Sequence, residues 1–136
     1  MTLVKLIEFK QFGDDRGQLV VIESSRSIPF DIKRTYYLTN TKSDFPRGFH
    51  AHKKLEQVAV CVTGKCRMVL DNGEEKTDVW LDEPNKAIRI EPMVWHEMHD
   101  FSPDCVLLVF ASDYYDESDY IRNYDVFKEM TNAHNP

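Results

Sequence analysis

The chain has 136 residues, with 17 Lys+Arg against 23 Asp+Glu, a net charge of -6 and 42% hydrophobic residues. That length fits one domain spanning residues 1–136, and the apolar fraction supports a packed core and excludes a disordered chain. The acidic balance argues against a nucleic-acid partner, because phosphate backbones select positive surfaces; it leaves room for a small phosphorylated ligand held by a few arginines.

The N-terminal segment from Met1 to Phe9 alternates as a first strand would. It lacks the apolar run and cleavage-like segment of a signal peptide. No stretch approaches the roughly 20 apolar residues of a membrane span. The three cysteines, Cys61, Cys66 and Cys105, sit in apolar surroundings and read as buried free thiols. The expectation is a cytoplasmic protein with no membrane partner.

Strand signals then follow one another closely. Gly17 to Glu23 comes after the turn-like Gly13-Asp14-Asp15-Arg16, and Ile32 to Thr39 is rich in β-branched and aromatic residues. Gln57 to Val62 precedes Thr63-Gly64-Lys65, and Cys66 to Leu70 runs into Asp71-Asn72-Gly73, whose Asn-Gly pair marks a tight turn. Thr77 to Leu81, Ala87 to Ile90 and Val106 to Phe110 complete the set. Many short strands separated by turns predict an all-β sandwich or small barrel. Only the end departs from this pattern. From Glu117 onward, Ile121, Tyr124, Phe127 and Met130 recur every three residues and predict one helix. Asp116 and Glu117 suit its N-terminus and Lys128 its C-terminus.

The chemistry concentrates in Arg47-Gly48-Phe49-His50-Ala51-His52-Lys53-Lys54-Leu55-Glu56 and in Trp95-His96-Glu97-Met98-His99. On a strand, His50 and His52 share a face, as do His96 and Met98, while His99 points the other way. Same-face histidines suit a metal, a proton transfer or a polar interior. The metal reading would draw on His50, His52, Glu56 and His96. Arg16 and Arg47 each precede a glycine and offer forked donors to phosphate or carboxylate oxygens. Tyr36 and Tyr37 lie on opposite faces of one strand, so a single tyrosine enters the interior, where it can donate a proton or stabilise an enolate. Trp80 and Trp95 read as structural.

These residues occur in an ordered set: Asp15-Arg16-Gly17, Ile28-Pro29-Phe30, Lys33-Arg34, Tyr36-Tyr37, the run from Pro46 to Gln57, the run from Val94 to Phe101, and Ala111-Ser112-Asp113-Tyr114-Tyr115. The set resembles the bacterial dTDP-4-keto-6-deoxyglucose 3,4-ketoisomerases across nearly the whole chain. The resemblance implies a cupin jelly-roll β-sandwich with a short C-terminal helix, and a homodimer in which an N-terminal strand crosses to the partner.

The resemblance also implies a function: conversion of a dTDP-linked 4-keto sugar to a dTDP-3-keto-6-deoxy-hexose of galacto configuration, for surface glycan assembly. By that likeness His50 is the catalytic base and Tyr36, aided by His52, the acid or oxygen-stabilising partner. Arg16, Arg47 and His96 bind substrate, with Arg47 on the diphosphate and Arg16 and His96 influencing the face of proton return. No metal and no cofactor is expected. The segment His50-x-His52-x3-Glu56 keeps part of a metal-binding cupin pattern, but its glycine spacing and the later Pro92-x3-His96 depart from it. The competing readings are a metal-dependent cupin enzyme and a noncatalytic sugar-nucleotide binder.

Overall fold

A computed structural model describes residues 3–134. Its strands are β1 (Lys5–Glu8), β2 (Lys10–Asp14), β3 (Gly17–Val21), β4 (Arg34–Leu38), β5 (Arg47–His52), β6 (Gln57–Thr63), β7 (Cys66–Asp71), β8 (Lys76–Leu81), β9 (Lys86–Ile90), β10 (Trp95–His99), β11 (Val106–Ala111) and β12 (Tyr120–Ile121). One helix, α1 (Tyr124–His134), follows them. The first sheet has the order β1-β9-β6-β11-β4, and the second the order β12-β5-β10-β7-β8. All paired strands are antiparallel. This is the expected all-β jelly-roll sandwich of the cupin type with one C-terminal helix.

Alternation places the core. Ala59 and Cys61 of β6, Ile88 and Ile90 of β9, Leu107 and Val109 of β11, and Met68 and Leu70 of β7 form one buried cluster between the sheets. The other face of the first sheet, with Val58, Val60 and Phe110, is covered by Phe9, Ile28 and neighbours from the N-terminal third. The outer face of the second sheet, with Ala51 and Trp95, is covered by α1 through Phe127. A fully buried phenylalanine such as Phe127 contributes about 1.5–3 kcal/mol from burial alone.

The pair β2–β3 stands apart as its own two-stranded sheet. Every residue of β2 is exposed, including Phe12, and so is Leu19 of β3.

The helix begins later than its periodicity predicts. Glu117–Asp119 form a single 3-10 turn, where the Asp116 side chain accepts from the Ser118 N–H, and Tyr120–Ile121 then pair with β5. Asn123 opens α1 instead, its side chain accepting the Val126 N–H. Ile121 does share a buried cluster with Phe127, but from a strand. Lys128 donates to the Gly73 carbonyl oxygen at 2.6 Å and ties the helix to the β7–β8 turn, rather than serving the helix end. Among the described residues, no helix is long and apolar enough to cross a membrane.

Candidate active site

The site grows from β5. His50 pairs directly with His96 of β10, but the register then slips: Glu97 lies opposite Gly48 and Met98 opposite Arg47. Phe49 is the extra residue, with φ 61°, beside Gly48 at φ 91°. This is a β-bulge, which inserts one residue and re-aims its neighbours. Residues directly opposite in an antiparallel pair share a face, so Arg47 stands on the same side of the sheet as Met98, His96 and His50. A regular strand would have turned Arg47 the other way. Its side chain lies at the exposed start of β5.

The three histidines converge. The His50 ring lies 4.5 Å from that of His96 and 5.1 Å from that of His52, centroid to centroid. One ring nitrogen from each falls within 4.8 Å of the others. His50 Nδ1 lies 3.1 Å from the Gly48 carbonyl oxygen, and His96 Nδ1 lies 3.2 Å from that of Val94. A carbonyl can only accept, so both Nδ1 atoms carry the proton and both Nε2 atoms keep a free lone pair. His52 Nδ1 stands 3.3 Å from Asp119 Oδ2, a facing contact out of line for a hydrogen bond. Asp119 is held by the backbone N–H groups of Lys54 and Leu55.

Burial keeps these imidazoles neutral. Desolvation lowers His50 below its ordinary value, partly opposed by the Gly48 carbonyl. It lowers His52 to about 4, with His50 adding to the effect and Asp119 opposing it. His96 is lowered to about 3 by burial and then by His50. Neutral imidazoles suit either a base or a metal ligand. The donor group comprises the three histidines, whereas Glu56 is ion-paired with Arg89.

Tyr36 faces the interior from β4, and Tyr37 is exposed, as alternation requires. The Tyr36 hydroxyl donates to Gln57 Oε1 at 2.5 Å, and burial pushes its pKa up to about 12, a firmly protonated phenol. The tyrosine in ring contact with the histidines is Tyr120, 4.3 Å from His52 and 4.9 Å from His50. It reaches them because β12 pairs Tyr120 with His52. Sequence reading missed Tyr120, Asp119 and Gln57 as site residues.

It also missed Arg34, which lies two residues before Tyr36 and so shares its face. The Arg34 guanidinium sits 5.3 Å from the Tyr36 ring and 5.6 Å from the Tyr115 ring. Its Nε is buried with no hydrogen-bond partner among the described residues. A cleft lined by Arg34, His52, Lys54, Tyr120 and the carboxylates Asp113, Asp116 and Asp119 opens beside it.

Arg16 is not brought to this cluster within the chain. It lies at the tip of the β2–β3 hairpin, its side chain 91% exposed and paired with Asp14 at 2.6 Å. Thus His50, His52 and His96 gather as expected, Tyr36 enters the interior from the other sheet with its hydroxyl on Gln57, Arg47 stands at the exposed start of β5 on the histidine face, and Arg16 lies elsewhere.

The FdtA family, described as WxcM-like, C-terminal, matches residues 2–132. The chain belongs to this family. Among its relatives is a TDP-4-oxo-6-deoxy-alpha-D-glucose-3,4-oxoisomerase from Aneurinibacillus thermoaerophilus, 59% identical over 125 residues, covering 92% of this chain and 90% of that one. The sugar 3,4-ketoisomerase QdtA from Thermoanaerobacterium thermosaccharolyticum, solved with TDP, superposes with a TM-score of 0.94 at 47% identity, covering 97% of this chain and 96% of that one. A histidine-to-asparagine variant of QdtA has been solved with TDP-4-keto-6-deoxyglucose, at TM-score 0.94 and 46% identity over 98% and 96% of the two chains. The TDP-quinovose 3,4-ketoisomerase WlaRB from Campylobacter jejuni gives a TM-score of 0.89 at 41% identity, covering 95% of this chain and 99% of that one. Membership of this group makes the chain an isomerase.

Proposed function

We propose that this enzyme converts dTDP-4-keto-6-deoxy-D-glucose to the dTDP-3-keto-6-deoxy-hexose of galacto configuration. The observation that carries this reading is the trio His50, His52 and His96, neutral and in ring contact, in a chain 59% identical to a relative named for this isomerisation.

The C4 ketone acidifies the neighbouring C3 proton. His50 takes that proton on Nε2, the nitrogen left free by the Nδ1–H bond to Gly48. An enediolate forms, and its oxygen charge is met by hydrogen-bond donation from Tyr36, with His52 assisting. Returning a proton to C4 and moving one from O3 to O4 leaves a ketone at C3 and a hydroxyl at C4. One C–H and one O–H bond are lost and one of each is gained. The oxidation level is unchanged, so the step calls for no redox cofactor.

Arg47 binds the diphosphate, a reading supported by its turn to the histidine face at the bulge. His96 lies beside His50 on the interior face and, with Arg16, sets the face on which C4 receives its proton. For Arg16 to reach a histidine cluster, its exposed hairpin must cross to a second copy. The apolar Phe12 and Leu19 on that hairpin support a homodimer with N-terminal strand exchange.

Carbon NMR of the incubation product tests the reading. A ketone resonance moved from C4 to C3, with small H4 couplings from an axial hydroxyl, is expected. Recovery of unchanged substrate by active-site-loaded protein would defeat it and favour a noncatalytic sugar-nucleotide binder.

A further inference from the structure

All three cysteines of the chain meet at one point inside the sandwich, away from the histidines. Cys61 lies on β6, Cys66 opens β7 on the facing sheet, and Cys105 immediately precedes β11. The Cys61 sulfur is 3.6 Å from that of Cys66 and 3.6 Å from that of Cys105, and the three fall within 4.8 Å of one another. All are free thiols, between 0% and 2% exposed. Along β7, Leu70 pairs with His96 and Cys66 is four residues further, about 13 Å at strand rise, so the sulfurs stand well apart from the catalytic cluster.

A single buried cysteine packs as a small hydrophobe. Three of them, from two sheets and a loop, converging at sulfur contact distance, make a trigonal face of soft donors. The surroundings decide what such a face can hold. They are apolar, with Met68, Phe101 and Leu107 in the same buried cluster. Among the described residues no carboxylate or imidazole joins the sulfur group. That omits the fourth ligand of a closed zinc site and disfavours hard, oxygen-seeking ions. An apolar interior also penalises net charge. A trivalent ion on three thiolates carries none.

The geometry points to a binding site for a trivalent thiophilic ion of the arsenic(III) class, held by Cys61, Cys66 and Cys105. Arsenous acid supplies the ion with no change in oxidation state. Three S–H and three As–O bonds break, three As–S bonds form, and three waters leave. The lone pair on arsenic fills the direction that has no ligand. Entry would run through the turn beside the sulfurs, where the Ser102 N–H donates to the Lys65 carbonyl oxygen, the Lys65 N–H donates to Ser102 Oγ, and Gly64 packs against Cys105. Binding is therefore gated by local opening and is slow.

The test is intact-mass spectrometry of the reduced, folded chain after incubation with arsenite, joined to arsenic K-edge absorption of the adduct. One adduct per chain is expected, heavier by one arsenic less three hydrogens, with three sulfur neighbours and no oxygen. Cys105→Ala should hold arsenic about 100-fold less firmly against a small dithiol competitor, on the scale of metal-site disruption. The absorption spectrum on the unaltered chain stands even if that variant folds poorly. An arsenic atom retaining an oxygen neighbour would overturn the site. So would uptake by the urea-unfolded chain alone.

Discussion

His50 and His96 face each other directly across β5 and β10, and immediately beside that pair the ladder gives up one residue, Phe49. The slip turns the Arg47 guanidinium to the face that the two imidazoles already share. Gly48 makes it possible. A Cβ there would lie 2.9 Å from the His96 carbonyl oxygen, at φ 91°. Gly48→Ala should therefore destabilise the fold by roughly 1–3 kcal/mol and reduce turnover about 100-fold through displaced groups. Thermal melts and steady-state rates check both. Unchanged turnover would show that the bulge does not set the site.

Much of this arrangement was legible in the sequence, and the exceptions have physical causes. Strict alternation separated Tyr36 from Tyr37 and paired His50 with His52, because a strand's side-chain period is two. A bulge breaks that period, and nothing in Arg47-Gly48-Phe49 except the glycine announces it, so the placement of Arg47 was not readable. Ile121 carried a helical signal because it shares an apolar cluster with Phe127, yet its neighbour Tyr120 pairs with His52. That long-range pairing brought Tyr120 and Asp119 to the site, which local pattern does not record. Arg34 is readable as a same-face neighbour, two positions before Tyr36 on one strand. The separation of the β2–β3 hairpin from the two main sheets leaves no mark in its alternation.

Acid should weaken the fold in a defined window. His52 and His96 have pKa values held at about 4 and about 3 by burial, against about 6.5 in an unfolded chain. Between those limits the unfolded state binds more protons, so this stability is present above about pH 6.5 and is lost as pH falls through it. Melting temperature should stay level above about pH 7 and drop between about pH 6.5 and about pH 4. His96→Gln should flatten that drop. An equally steep drop in the variant would assign the acid sensitivity elsewhere.

Metal removal should leave turnover intact, because a base acting through the His50 Nε2 needs the lone pair that an ion would occupy. Excess zinc should inhibit by binding the same three nitrogens. Dialysis against a chelator, metal analysis and rate measurement test this together. Activity lost on chelation and restored by a stoichiometric ion would favour the metal-dependent reading instead.

The crossing hairpin is testable by complementation. Arg16→Ala and His50→Asn chains, each weakly active alone, should form mixed dimers in which one site receives an intact Arg16 from the other copy. Refolding the two together should restore turnover above the sum of the separate preparations. Strict additivity, with mixed dimers demonstrated by mass, would place Arg16 and His50 of a working site on the same chain.

Transfer of the C3 proton by His50 is tested by comparing substrate carrying deuterium at C3 with ordinary substrate, on the wild-type chain and on His50→Asn. A primary isotope effect in the wild type is predicted. For the variant, nucleotide-sugar affinity should be retained and turnover should fall about 10²–10⁴-fold, the usual scale of a lost general base. Near-normal turnover by His50→Asn with the isotope effect preserved would mean that another group removes that proton.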